Sequence, residues 1–354
     1  MPDATSTVPR PLEKAAAYSW RLIVIGVVVV AGLWLLQRAA IVVIPIVIAL
    51  FLTRILSPVS GWLCRHRWRP GVAALASLLV FMVVIGSLLT VVVRSVAGEA
   101  DSIGPTLTEA TDEIEDWLVD DSPFEISRAT IDRIRDDAAV EFDSLLQSSD
   151  GSIKDRATLV AELFAGSVLA LILTFFLLRD GRRLAEWSVR RARNGRRSQL
   201  RRSLDAAWSA LAGYLRGASL LGVVEAVAIG ITLWLVGADL IAPMMVLTFL
   251  GAFVPLVGAV LAGVIAVMVA LVTAGTSAAI IVAVVALVVQ QLDNDLLAPV
   301  IYGRALRLHP AVVLLSVVGG GALFGLAGTV LAVPIVAVAS HAIRAYREGG
   351  EPVD

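Results

Sequence analysis

Eight apolar runs, most of them close to the length that crosses a bilayer, limit what this chain can fold into. Residues 22 to 36, 39 to 53, 71 to 93, 158 to 178, 218 to 236, 244 to 273, 276 to 289 and 310 to 340 are nearly free of charge. A membrane-spanning helix takes about 20 apolar residues, and shorter runs are completed by their flanks. Hydrophobic residues make up 58% of the chain on a count that leaves out glycine, whereas an ordinary soluble domain reaches roughly 45–50% with glycine included. The fold class expected is all-α: a polytopic integral membrane protein with about eight transmembrane helices.

The net charge of -1 conceals a segregation of charge along the chain. Residues 94 to 157 hold seventeen acidic side chains against six basic ones, and residues 179 to 217 hold eleven arginines against three acids. Lys and Arg near membrane ends mark the cytoplasmic side, while acids contribute little. The arginine block is therefore expected inside. The loop carrying Arg54, Arg65, Arg67 and Arg69 and the tail with Arg344 and Arg347 bear the same mark. Eight crossings then place both termini in the cytoplasm and the acidic segment outside. One loop resists this count, because Arg304 and Arg307 fall on the outer side. They are either exceptions or part of a backbone that dips into the membrane.

Lysine occurs only at Lys14 and Lys154, so the preference for arginine reflects general composition and gives no reason to expect nucleic-acid binding. The single Cys64 cannot form an internal disulfide, and the three histidines are far apart, so no metal or thiol site is signalled. The N-terminal run is preceded by Arg10, Lys14 and Arg21 in the manner of a signal peptide. Arg38 interrupts where a cleavage site would want small neutral residues, and a second apolar run follows at once. A retained hairpin is expected.

The chain divides into an N-terminal membrane region of three spans (1–93), an acidic extracytoplasmic helical segment (94–157), a fourth span (158–178), a basic cytoplasmic connection (179–217), a C-terminal membrane region (218–345) and a cytoplasmic tail (346–354). In the acidic segment, Leu107, Ala110, Ile114, Trp117 and Leu118 share one helical face. After Ser122-Pro123, a seven-residue rhythm runs through Ile131, Ile134, Ala138, Phe142 and Leu145. This pattern suits a solvated helical hairpin, or an oligomerisation or gating element. In the basic connection, Leu200, Leu204, Trp208, Leu211 and Leu215 form a stripe that either lies along the inner leaflet or docks on the protein before the chain turns up at Gly217.

Polar groups inside apolar runs are the candidates for function, since each costs several kcal/mol in hydrocarbon unless it is satisfied. Glu225 lies in the middle of the fifth run. A carboxyl there is protonated, paired or facing a wet cavity, and both a transport role and an assembly role are open to it. Gln290, Gln291, Asp293, Asn294 and Asp295 follow the seventh run, and Pro299 prevents an uninterrupted helix beyond them. If the helix ends there, its free carbonyls and the two carboxylates suit a cation. If the cluster merely meets water, it is a polar cap. Pro255, Gly258, Pro310, Gly320, Gly325 and Pro334 mark kinks or close helix approaches in the C-terminal half, where broken helices are tolerated only if buried in protein or lining a cavity. No nucleophile-base constellation, P-loop or nucleotide turn is visible, so neither an enzyme nor an ATP-driven pump is expected, and no cofactor.

The stretch Asp293-Asn294-x-x-Leu297-x-Pro299, then Gly303-Arg304, Leu308-His309-Pro310, and the glycine-rich run with Gly325, Gly328, Ala332 and Pro334 resembles the C-terminal signature of the autoinducer-2 exporter (AI-2E) family, also called PerM-like permeases. Pro255-x-x-Gly258 fits the same pattern. The layout resembles the family over the whole length, while the motifs are confined to about residues 250 to 340. The resemblance implies a permease of the bacterial inner membrane, linked in some members to export of a signalling furanone and in others to sodium/proton exchange. From the residues, Glu225 and Asp293 are expected to handle protons or cations, with Asn294, Gln290 and Arg304 lining or gating the path. A homo-oligomer embedded in the lipid bilayer is expected. A non-transporting scaffold and a passive channel are the rival readings. The stretch from Gln290 to Pro310, anomalous for topology, favours a broken or re-entrant element over a plain helix end.

Overall fold

The apolar runs are helical in the computed structural model, which describes residues 10–116, 153–254, 257–293 and 309–348. Among the described residues nine α-helices follow one another, with no β-strand. They are α1 (Arg10–Arg38), α2 (Ala40–Arg65), α3 (Pro70–Asp116), α4 (Ile153–Arg191), α5 (Arg197–Leu235), α6 (Ile241–Gly251), α7 (Val257–Ala274), α8 (Thr276–Leu292) and α9 (Pro310–Glu348). Helices α1 to α5 and α9 are long and apolar enough to cross a membrane, and α6, α7 and α8 are shorter apolar helices. The chain is thus an all-helical polytopic membrane protein. Helices α3, α4 and α5 run without a break past residues 93, 157, 178 and 217, where composition changes. Charged residues such as Arg and Glu are good helix formers, so a polar flank does not end a helix.

Small side chains draw α2, α3 and α4 together, since close approach is what drives helix association in lipid. Helix α2 buries Pro45, Ala49, Thr53, Leu56 and Ser60 at spacings of three and four, a single face. Ala73, Ala74 and Ser77 of α3 and Ala170 and Thr174 of α4 are also buried. The buried hydroxyls are satisfied within their own helices: Thr53 donates to Ala49 at 2.6 Å, Ser77 to Ala73 at 2.8 Å and Thr174 to Ala170 at 2.7 Å. Arg54, read from sequence as a loop charge, lies inside α2.

Helix α5 is the central strut, packed against α9, α6, α8 and α2. The stripe in its first half docks on protein at its inner part, where Leu211 and Leu215 are buried with Tyr214 against Phe51, Phe253 and Val338. Farther along α5, Ile229 and Leu233 join Met244, Ala266, Ala270, Ala278 and Val282 in a second core.

Two stretches of the C-terminal half turn back on themselves. A Cβ on Gly258 would collide with the Gly251 carbonyl, and one on Gly251 would lie 3.5 Å from Ala262 Cβ. Residues eleven apart in one continuous helix are separated by about 16 Å along its axis. Helices α6 and α7 are therefore antiparallel, and α6, with 11 residues, rises only about 16 Å of a core near 30 Å thick. In α9 the dihedrals leave the helical region at Phe324 (φ −134°, ψ 16°) and Gly325 (φ 59°, ψ −145°). A Cβ on Gly320 would lie 2.6 Å from Ala332 Cβ, and one on Gly321 would lie 2.8 Å from Thr329 Oγ1. The two arms of α9 thus form a second hairpin. The bend is at Gly325, whereas Pro334 sits in the second arm with its helical dihedrals intact.

The ends of the bundle follow from two hydrogen bonds. Ser203 Oγ donates to the Ala342 carbonyl at 2.8 Å, so the second arm of α9 runs antiparallel to α5 and ends beside its arginine-rich start. The first arm, folded back, starts at Pro310 toward that same end. At the opposite end the Asp239 N–H donates to Thr273 Oγ1 at 3.1 Å, which sets the α5–α6 turn beside the α7–α8 turn. Helix α8 leaves that turn and runs back toward the arginine-rich end. Asp293 and His309, the described residues on either side of 294–308, therefore both lie on the arginine side of the Asp239 turn. The eight-crossing count had put this connection on the opposite face. The reason for the difference is the α6–α7 hairpin: residues 244 to 273 return to the end they came from, which reverses the direction of α8. Arg304 and Arg307 themselves lie outside the described residues, as does most of the acidic segment.

Two measurements check this arrangement. In a Cys64→Ser background, His309→Cys is expected to react with a membrane-impermeant maleimide from the face that labels Cys64 in the parent protein, and Asp239→Cys from the opposite face. Labelling of positions 309 and 239 from one face would contradict the arrangement. Gly325 occupies a backbone region that disfavours side chains, so Gly325→Ala is expected to cost about 1–3 kcal/mol. It should lower the detergent-phase melting temperature, while Gly319→Ala, with open space around its Cβ, leaves it nearly unchanged.

Candidate functional site

A carboxyl in the middle of an apolar helix has no bulk water to solvate it and is retained only with a partner. Glu225 lies on α5 with 4% of its surface exposed. Gly222 and Gly230 flank it on the same helix, and their bare backbones let α6 lie against α5: a Cβ on Gly222 would be 2.9 Å from Ala252 Cβ, and one on Gly230 would be 2.6 Å from Met245 Cγ. Asp293 is the residue that closes the C-terminal end of α8, its N–H directed at the carbonyls of Gln290 and Val289. Packing of α8 on α5 brings the Glu225 and Asp293 side chains within hydrogen-bonding reach of each other.

Each of these carboxyls keeps one oxygen buried and without a hydrogen-bond partner, Oε2 of Glu225 and Oδ1 of Asp293. Two carboxyl groups can hydrogen-bond to one another only when one of them carries a proton, because two carboxylates at that range repel. A small cation between them removes the same repulsion. The last carbonyls of α8 present the negative end of the helix dipole at Asp293 and favour either occupant. The arrangement can take up one positive charge, as a proton or as a metal cation.

The two hairpins approach this level from opposite ends. Phe249 and Ala252, near the end of α6, lie against Gly222. Tyr214 donates through its hydroxyl to the Phe253 carbonyl at 2.9 Å, which satisfies a backbone acceptor where the α6 ladder has ended. For the α9 hairpin, the eighteen residues from Ala342 back to the bend at Phe324 rise about 27 Å, and the same rise along α5 from Ser203 leads to about residue 221. Both bends therefore lie close to the depth of Glu225.

Of the other expected residues, Gln290 is half-buried in the last turn of α8 and Gln291 is exposed. Asn294, Asp295, Arg304, Pro299 and Pro255 lie outside the described residues. Pro310 opens α9, where a missing N–H is harmless. Gly258 and Gly320 are positions of close approach, and Gly325 is a bend. Sequence reasoning missed Tyr214, whose only signal was a hydroxyl within an amphipathic helix, and it did not single out Arg54.

A helical bundle with several spans, two hairpins that stop at membrane depth and a buried carboxyl pair between a spanning helix and a helix end has the build of a membrane transporter. The chain belongs to the AI-2E transporter family: residues 23–348 match the family described as "AI-2E family transporter". A Mycobacterium tuberculosis protein, named a transport protein without a stated substrate, is 33% identical over 352 residues, covering 99% of this chain and 95% of its own length. The Bacillus subtilis transport protein YrrI is 23% identical over 322 residues, with 86% of each chain covered. The Escherichia coli K12 permease PerM is 42% identical over 65 residues, 18% of each chain. The protein is a membrane transporter of the permease type, embedded in lipid.

Proposed function

We propose that the chain moves a small molecule or ion across the bacterial plasma membrane without ATP, using an ion gradient or running passively, with Glu225 and Asp293 as the element that binds protons or cations. The observation that carries this reading is the pairing of the two carboxyls inside the bundle, each with one buried oxygen unsatisfied. Gln290, half-buried one turn before Asp293, lines or gates the path together with Asn294 and Arg304. By the positive-inside rule, the end bearing Arg65, Arg197, Arg201 and Arg344 faces the cytoplasm, and so do both termini. The acidic segment then lies outside, and the protein assembles as a homo-oligomer.

The carboxyl pair favours one coupled form of this function in particular. A site that accepts either a proton or a cation in the same oxygens exchanges one for the other when it opens alternately to the two faces, which is sodium/proton antiport. Competition gives the sign of the pH dependence: lowering the pH on the loading side fills the pair with protons and slows cation uptake.

Flux in proteoliposomes under imposed pH and sodium gradients tests the reading. Glu225→Gln and Asp293→Asn keep the shapes of the side chains and remove the exchangeable charge, and each is expected to reduce coupled flux by about tenfold or more. The variants should insert and elute like the parent protein. Parental flux in both variants would remove the carboxyl pair from the mechanism, and parental protein that carries nothing under any gradient would favour a scaffold.

A further inference from the structure

Arg54 of α2 and Arg216 of α5 form a second unusual set of charges, separate from the carboxyl pair. Arg54 is half-buried. Its Nη1 donates to Ser57 Oγ at 2.9 Å, its guanidinium carbon lies 5.4 Å from the centre of the Trp208 ring, and its Nε is buried with no hydrogen-bond partner. Arg216 of α5 lies within electrostatic range of Arg54 and spends its own Nε on the Ala212 carbonyl at 3.2 Å. Among the described residues neither arginine is in an ion pair; the pairs found there join Asp180 to Arg179 and Arg183.

Two guanidinium groups held near each other without a counter-ion repel, and the repulsion grows as water is excluded. Lipid-level sites keep such charges when an anion completes them. A guanidinium presents its donors in a planar fork that matches phosphate oxygens. The depth is suitable as well: Trp62, Trp68, Trp187 and Trp208 are all exposed toward this end of the bundle, and exposed tryptophans collect at the headgroup level.

We propose that Arg54 and Arg216, with Trp208 beside them, form a binding site for a phosphate-type oxyanion at the arginine-bearing face of the membrane. The phosphate reaches the site either as the headgroup of an anionic lipid or as a soluble phosphate group, and Arg54 Nε and the free nitrogens of Arg216 donate to its oxygens. The Ser57 hydroxyl and the Trp208 ring hold the Arg54 guanidinium in place. This site is separate from the carboxyl pair and stands or falls independently of it.

Thermal unfolding of the purified, delipidated full-length protein tests the site in two arms. One arm adds phosphatidylglycerol or, as control, phosphatidylcholine in mixed micelles, and the other adds inorganic phosphate or chloride at equal ionic strength. Selective stabilisation by phosphatidylglycerol assigns the lipid as the source, and selective stabilisation by phosphate assigns the soluble anion. Ligand-linked stabilisation depends on affinity for the folded state, so Arg54→Gln and Arg216→Gln are each expected to remove at least about half of the shift. Arg201→Gln, at the same end but elsewhere on α5, should retain it. Should Arg54→Gln fail to fold, Arg216→Gln, at an exposed position, carries the comparison. Absence of a selective shift in both arms, or an undiminished shift in Arg216→Gln, overturns the site.

Discussion

Every backbone N–H and C=O at membrane depth must be paired within the protein, and the C-terminal half of this chain breaks its helices twice at that depth. Helix α5 is what makes the breaks tolerable. Its glycines at 222 and 230 admit the α6 arm against bare backbone, and Tyr214 supplies a donor to the Phe253 carbonyl. The second hairpin relies on the same device within itself, where Gly320 and Gly328 touch through their backbones. A side chain at any of these positions would separate the arms and expose carbonyls to hydrocarbon, where each costs several kcal/mol. Glycine, which weakens a helix in water by about 1 kcal/mol relative to alanine, here strengthens the assembly.

The same geometry places the carboxyl pair. Asp293 meets Glu225 only because α8 runs back from the Asp239 end, and α8 runs that way only because α6 and α7 together return to the end from which they set out. Had residues 244 to 273 crossed once, the end of α8 would lie toward the other face, and Glu225 would have to find a different partner. The hairpin and the pair are thus linked: the reversal between α6 and α7 determines which polar group meets Glu225.

This linkage also explains how much could be read from sequence. Apolar run length identified the spanning helices α1 to α5 because hydrocarbon thickness acts on each helix separately. Glu225 and Asp293 were visible for the same reason, as polar groups inside apolar runs. That they meet was not visible, since 68 positions and three changes of helix direction separate them. The reversals were only partly legible. Pro255, Gly258, Gly320 and Gly325 signal a kink or a close approach, but not which segment of the chain makes it. The eight-crossing count did not foresee the direction of α8, because the α6–α7 return is set by close backbone contacts and not by run length; Arg304 and Arg307 lie outside the described residues. Arg54 was read as a loop residue because its charge ended an apolar run, yet its helix continues to Arg65 by covering one face with protein and leaving the guanidinium to Ser57 and Trp208.

Two hairpins entering from opposite ends and bending close to the depth of Glu225 have a consequence for the proposed function. Where a helix stops halfway, that helix does not wall off the region beyond its bend. On each side of Glu225 one such region exists, under the α6–α7 bend on one face and over the Gly325 bend on the other. A charge held by the Glu225–Asp293 pair would then be separated from each face by about half a membrane and one movable arm, not by a full spanning helix. Displacing one arm at a time would suffice for alternating exposure, and the close glycine contacts that hold each hairpin together would let it move as a unit. On the proposed reading, the broken helices would act as two opposed gates around the Glu225–Asp293 pair.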